Sequence, residues 1–204
     1  MKEDSTKLKN EVDMIKDMLT FIDASVDSEA LNDYIIRYTK QYIPEDILAE
    51  REERVYVQEE LIKKYSSSLI CVRVNYPGVI KNDYVSIGIM KILCDMVIRE
   101  FRNHILYKML NITAEGPILT LVVDELAIDI KNRTVSIEEN HLLGRFVDID
   151  VYDKYNRSLS RKDLGLDRRR CYICDNYAHI CVRQRQHSEK EIKDFIKNSY
   201  KSFL

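Results

Sequence analysis

No run of apolar residues in this 204-residue chain approaches the roughly 20 that a membrane-crossing helix requires, so no membrane partner is expected. The opening residues, MKEDSTKLKNEVD, lack the apolar stretch of a secretion signal, and a cytoplasmic protein is expected. Tryptophan is absent. Thirteen tyrosines, 45% hydrophobic residues and a balanced 32% charged residues nevertheless exclude a disordered chain. Repeats and low-complexity tracts are also missing, which leaves one globular domain or a domain with a helical appendage. The five cysteines are an odd number, and three of them crowd into CYICDNYAHIC. In a reducing compartment these are thiols or metal ligands rather than a disulfide framework.

Proline and glycine are scarce, at three and five residues, so each is a useful punctuation mark. Spacing of Leu8, Val12, Ile15, Leu19 and Ile22 predicts a helix from about Thr6 to Ala24. Asp27 or Ser28 caps a second helix running to Tyr42. Pro44 opens a third, whose charged face reads as solvated. Leu69–Val74 is a short buried strand closed by the turn NYPG. Asn82 or Asp83 then caps a long helix with Ile87, Met90, Leu93, Val97, Phe101 and Ile105 on its apolar stripe. Gly116 and Pro117 break the chain before a strand at Ile118–Val123. LAIDIKNRTVSIEENH fits either a hairpin turning at Lys131–Arg133 or a helix with Ile130, Thr134, Ile137 and His141 on one face. FVDIDVYD is a further strand, and a helix from about Ser188 to Phe203 closes the chain. The sum is an α/β or α+β fold, a small mixed sheet with packed helices. Residues 1–44 form a helical N-terminal extension and 45–204 the principal domain.

Three patterns carry chemistry. Asp148 and Asp150 lie two apart on an apolar strand, so both point to one face. Like charges side by side suit either an idle solvated edge or a site where a cation lies between them; Asp124 or Glu139 supplies a third ligand in the latter case. Cys171, Cys174, Cys181 and His187 suit a structural zinc knuckle or a set of reduced thiols. Cys71 and Cys94 are core. Net charge is −2, yet residues 154–188 form a basic, Cys-rich segment with nine Lys or Arg against three Asp as far as His187. Those cations are a solvated surface, a phosphate site or a nucleic-acid patch.

The runs ENHLLGRFVDIDVYD and SRKDLGLDRRRCYICDNYAHICVRQRQHS, with VNYPGVIK and GPILTLVVD upstream, closely resemble the apo-citrate lyase phosphoribosyl-dephospho-CoA transferase family. The likeness spans about Glu50 to Ser188. The family pattern falls on Gly144, Arg145, Asp148, Asp150 and Val151, then on Ser160, Arg161, Leu164, Gly165 and Leu166. It continues on Arg169, Arg170, Cys171 and Cys174, and on Cys181, Arg183, Arg185, His187 and Ser188. Upstream it falls on Asn75, Pro77 and Gly78. The family usually has proline at the position of Leu142 and a proline pair at Asp167 and Arg168, and often arginine at Gln186. These departures bear on substrate affinity more than on activity.

The resemblance implies an enzyme that moves a 2'-(5''-triphosphoribosyl)-3'-dephospho-CoA group to a serine of the citrate lyase acyl carrier subunit, with loss of diphosphate. On this expectation Asp148 and Asp150 hold Mg²⁺ and, with Arg145, are catalytic. Gly144, Arg161, Arg169, Arg170, Arg183 and Arg185 bind substrate. A carboxylate or His141 takes the serine proton. The rival expectation is a non-catalytic zinc-knuckle module on nucleic acid, for which the only interleaved aromatics are Tyr172 and Tyr177. An inactive assembly partner of citrate lyase is the third.

Overall fold

A computed structural model of the chain describes residues 2–23, 27–174 and 176–204; Ala24, the expected end of the first helix, and Asp175 of the Cys-rich segment lie outside them. Strand β1 (Ser68–Val74) is buried at almost every position, which demands cover on both faces. It pairs antiparallel with β3 (Gly116–Val123) on one side and β4 (Val147–Tyr152) on the other. Beyond β3 lies β2 (Ile105–Thr113), and beyond β4 the two-residue β5 (Ser158–Leu159), so the order is β2-β3-β1-β4-β5. All these pairings are antiparallel.

Register divides the side chains between two faces, because directly opposed residues point the same way. Ile70, Val72 and Val74 share the main core with Leu119, Leu121, Val123, Val147, Ile149 and Val151. Helix α4 (Tyr84–Phe101) lies on that face, with α1 (Lys2–Ile22) and α7 (Glu189–Phe203) behind it. Asp83 caps α4, its Oδ1 accepting from the backbone N–H groups of Val85 and Ser86 at 2.9 Å. Gly88 lets α7 approach, since a Cβ there would overlap the Tyr200 phenol. On the opposite face, α3 (Pro44–Tyr65) sets Leu61 and Ile62 over Leu69, Cys71, Ile118 and Val122. Asp148 opposes Arg73 and Asp150 opposes Cys71, so both carboxylates belong to this second face.

Several elements depart from the sequence expectation. Ile105 does not extend the stripe of α4; the helix stops at Phe101 and Ile105 begins β2, which periodicity alone did not reveal. The apolar spacing runs unbroken from helix into strand, and the break lies in the turn at Arg102–His104. Gly116 and Pro117 do not separate elements. They start β3 in a tight hairpin with β2, where Thr113 opposes Gly116 at φ 97°. The second helix, α2 (Ser28–Thr39), ends before Tyr42. Its Tyr34 hydroxyl donates to the Leu110 carbonyl at 2.6 Å, covering part of the outer edge of β2.

The ambiguous segment is a helix, α5 (Ala127–Asn140), and the reason lies at the edge of β4. β5 pairs only with Val151 and Tyr152, so the outward backbone groups of Ile149 need other partners. Lys131 and Glu138, two helical turns apart, supply them. Lys131 Nζ donates to the Ile149 carbonyl and the Ile149 N–H donates to Glu138 Oε1, both at 2.8 Å. A hairpin would not bring these two side chains to one strand residue. Glu138 also forms an ion pair with Arg169. Glu138→Ala removes an acceptor and leaves a cation without its buried partner, and is expected to destabilise the fold by about 3 kcal/mol in urea unfolding; a Glu138→Ala protein as stable as wild type would refute this edge-sealing role.

Candidate active site

Asp148 and Asp150 arise on β4 as the strand's period dictates: Val147, Ile149 and Val151 face the core, and the carboxylates alternate with them. Helix α3 packs on β1, β2 and β3, and the two aspartate side chains keep 40% and 33% of their surface exposed. Each is met by an arginine. Arg73 of β1 passes over its direct neighbour to reach Asp150 at 2.7 Å. Arg169 donates to Asp148 Oδ1 and to the Val147 carbonyl, both at 3.0 Å. These contacts tie down one oxygen of each carboxylate and offset the repulsion between the pair.

The second arginine network was invisible in the sequence. Glu115, in the β2–β3 turn, is buried and receives Arg54 Nε at 2.6 Å and Arg51 Nε at 3.0 Å from α3, with Arg73 at 3.9 Å. The charged face of α3 is therefore not simply solvated: Arg54 is only 12% exposed and Gln58 is buried. Burial alone would raise the Glu115 carboxyl, but hydrogen bonds and charge from Arg54, Arg51 and Arg73 hold it below the usual range. Arg73 stands between Glu115 and Asp150, with its Nε buried and without a hydrogen-bond partner among the described residues. Cys71 on the same face stays a thiol, pushed up to about 11 by burial.

The expected substrate-binding arginines separate into groups. Arg161, Arg169 and Arg183 line one cleft of about 420 Å³ together with Lys162, Arg168 and His179. Arg161 is fixed through Nε to the Asp167 carbonyl at 3.0 Å and pairs with Glu139, while its Nη1 is buried and lacks a hydrogen-bond partner among the described residues. Arg169 thus borders both this cleft and Asp148. Arg185 lines a second cleft of about 600 Å³, between the Asn75–Gly78 turn and the Cys-rich segment. Arg170 lies 4.2 Å over the Tyr177 ring, and Arg145 donates to the Arg170 carbonyl at 2.6 Å. Gly144 is buried against α5, where a Cβ would overlap the Ile137 carbonyl.

The other candidates are differently placed. Asp124 follows Val123, which pairs with Ser68 at the end of β1 remote from Arg73; it lines a cleft of about 690 Å³ there. Glu139 is engaged by Arg161. His141 accepts the Leu143 N–H through Nδ1 at 3.1 Å and packs against Phe203, and burial lowers its pKa. Tyr172 stacks on Phe195 and meets Phe146 edge-on, so neither it nor the Arg170-covered Tyr177 is a bare platform for a nucleic-acid base.

Cys171, Cys174, Cys181 and His187 converge, their ligand atoms all within 4.8 Å of one another, an arrangement able to bind a metal ion such as zinc. No helix among the described residues is long and apolar enough to cross a membrane.

Residues 44–203 match the family described as apo-citrate lyase phosphoribosyl-dephospho-CoA transferase. A Streptococcus pyogenes serotype M3 protein described as a probable transferase of that name is 32% identical over 168 residues, covering 78% of this chain and 85% of the relative. A Vibrio cholerae serotype O1 (strain M66-2) protein with the same description is 31% identical over 149 residues, covering 71% and 83%.

Glu115 generates a pH prediction. Its folded-state pKa is depressed, so its stabilisation is present above the ordinary glutamate value of about 4.3 and is lost as pH falls through the lower folded value. Glu115→Gln should therefore lower stability at pH 7, with the gap from wild type narrowing in acid. Urea midpoints across the acid range read this directly; a gap that is constant with pH would contradict it.

Proposed function

The chain belongs to the apo-citrate lyase phosphoribosyl-dephospho-CoA transferase family, and from that premise we propose that it transfers the 2'-(5''-triphosphoribosyl)-3'-dephospho-CoA group to a serine of the citrate lyase acyl carrier subunit, in the cytoplasm. The observation that carries the reading is the sharing of Arg169 between the basic cleft and Asp148. A nucleotidyl transfer needs cations for the phosphates and carboxylates for a divalent ion side by side.

In this reading the serine Oγ forms a bond to the α-phosphorus of the triphosphate. The bond from that phosphorus to the bridging oxygen breaks, and diphosphate departs with its electron pair. Arg161, Arg169 and Arg183 grip the phosphate oxygens. Arg145 and Arg170 add positive charge beside them, and Arg185 with Lys81 serves the coenzyme arm in the second cleft. The two carboxylates fit Mg²⁺, a hard ion that keeps several waters and takes one or two protein carboxylates. Bound there, Mg²⁺ would neutralise the charge that grows on the leaving diphosphate. The serine proton goes to a carboxylate of the pair, because His141 Nδ1 is already occupied. An ion in the Cys3His cluster is structural, since four protein ligands leave no open position. The transferase domain is residues 45–204, where every residue assigned a role lies; residues 1–44 add helices that share its core.

Asp150→Asn is expected to leave the fold intact, because Arg73 retains Glu115, and to abolish transfer. Intact-mass analysis of the carrier subunit, incubated with enzyme, Mg²⁺ and the triphosphoribosyl precursor, should show the prosthetic group added by wild type only, and not in EDTA. Near-normal transfer by Asp150→Asn would remove the metal role, and no mass gain with wild type would remove the reaction itself.

A further inference from the structure

We infer that Cys171, Cys174, Cys181 and His187 hold a tetrahedral zinc ion, and that this ion clasps together the two arginine-bearing segments of the basic cleft. The ion follows from the cluster alone; its effect on the cleft rests on the phosphate-binding reading above.

The distances suit the ion. Zinc–sulfur bonds of about 2.3 Å and zinc–nitrogen bonds of about 2.0 Å at tetrahedral angles place ligand atoms roughly 3.5–3.8 Å apart. Cys171 Sγ and Cys174 Sγ lie 3.4 and 3.3 Å from His187 Nε2, and Cys174 Sγ lies 3.5 Å from Cys181 Sγ. A backbone donor already faces the first sulfur: the Ile173 N–H donates to Cys171 Sγ at 3.4 Å. The Cys171 N–H donates to the Asn176 carbonyl at 2.7 Å, joining the two ends of the turn that carries the first two cysteines.

The segment also needs a staple. Between Gly165 and Gln186 the regular structure is the seven-residue helix α6 (Ala178–Gln184) and one antiparallel bridge, Arg170 to Tyr177; Cys181 is the buried residue among those described, and Tyr172 is a half-buried contact with the core. A piece of chain with so little apolar burial does not hold a fixed shape by packing alone. His187, by contrast, directly precedes Ser188, the N-cap of α7, whose Ile196 and Tyr200 are deep in the core. An ion bound to all four side chains ties the loose segment to that anchored helix.

The arginines follow from the ligand positions. Arg168, Arg169 and Arg170 run directly into Cys171, and Arg183 lies two residues after Cys181. Each of the two segments lining the cleft thus carries a ligand of the ion. Arg169 is held to β4 and α5 by its own contacts, so without the ion it is the register of Arg183 against Arg169 that is free to drift.

The test uses the full chain purified without metal-affinity resin. Elemental analysis should give about one zinc per chain, and cobalt(II) exchanged into the site should show the intense visible bands of a tetrahedral thiolate complex, lost in Cys174→Ser. Binding of inorganic triphosphate, measured by calorimetry without Mg²⁺, should weaken at least about tenfold on zinc removal, the loss of one or more charge-assisted hydrogen bonds. Metal-free protein with reactive thiols, or no thiolate-type cobalt spectrum in wild type, overturns the site. Zinc present but triphosphate affinity unchanged by its removal overturns the clasp. Neither measurement reads transfer, so failure here is distinct from failure of the transferase reading.

Discussion

The outward edge of β4 is the constraint on which the site depends. The strand must present aspartates to one face and aliphatic side chains to the other, and β5 is too short to pair with all of it. Three charged side chains do the sealing instead: Lys131 on the Ile149 carbonyl, Glu138 on the Ile149 N–H and Arg169 on the Val147 carbonyl. Buried backbone groups left without partners carry a penalty comparable to a lost hydrogen bond each, so this edge dictates where α5 and the Cys-rich segment must lie. Placing Arg169 there sets it beside Asp148 and gives the basic cleft its border.

The two aspartates lie on a face that the packing leaves partly open. α3 covers the apolar part of that face and sends Arg51 and Arg54 to Glu115, which meets Arg73, which in turn holds Asp150. The carboxylates are therefore flanked by fixed cations on both sides while keeping exposed surface. The end of this chain at Asp150 is half-buried, with a quarter of Arg73 and a third of Asp150 exposed, so it braces β1 against β4 and still leaves carboxylate surface open. The chain's buried end, at Glu115, is the part that stability depends on most.

Local patterns were legible in the sequence because each is written within a few residues. Alternation put Asp148 and Asp150 on one face, spacing singled out Cys171, Cys174, Cys181 and His187 without deciding between zinc and free thiols, and contiguity joined Arg168 to Arg170. The long-range partners were not legible. Glu115 lies 61 residues from Arg54, and Lys131 and Glu138 read as ordinary polar positions until the bare edge they serve is known. β2 was hidden because Ile105 continues the apolar spacing of α4 across a turn that carries no proline or glycine. For α5, hairpin and helix were equally compatible with its apolar residues, and the decision was made by two charged ones.

Whether the open part of this face is a joint cation and phosphate site can be read from a crystal structure grown with Mn²⁺ and inorganic triphosphate. A joint site should show an anomalous peak between Asp148 and Asp150, with phosphate oxygens on Arg161 and Arg169. Triphosphate bound elsewhere, with Asp148 and Asp150 still joined only to Arg169 and Arg73, would contradict it.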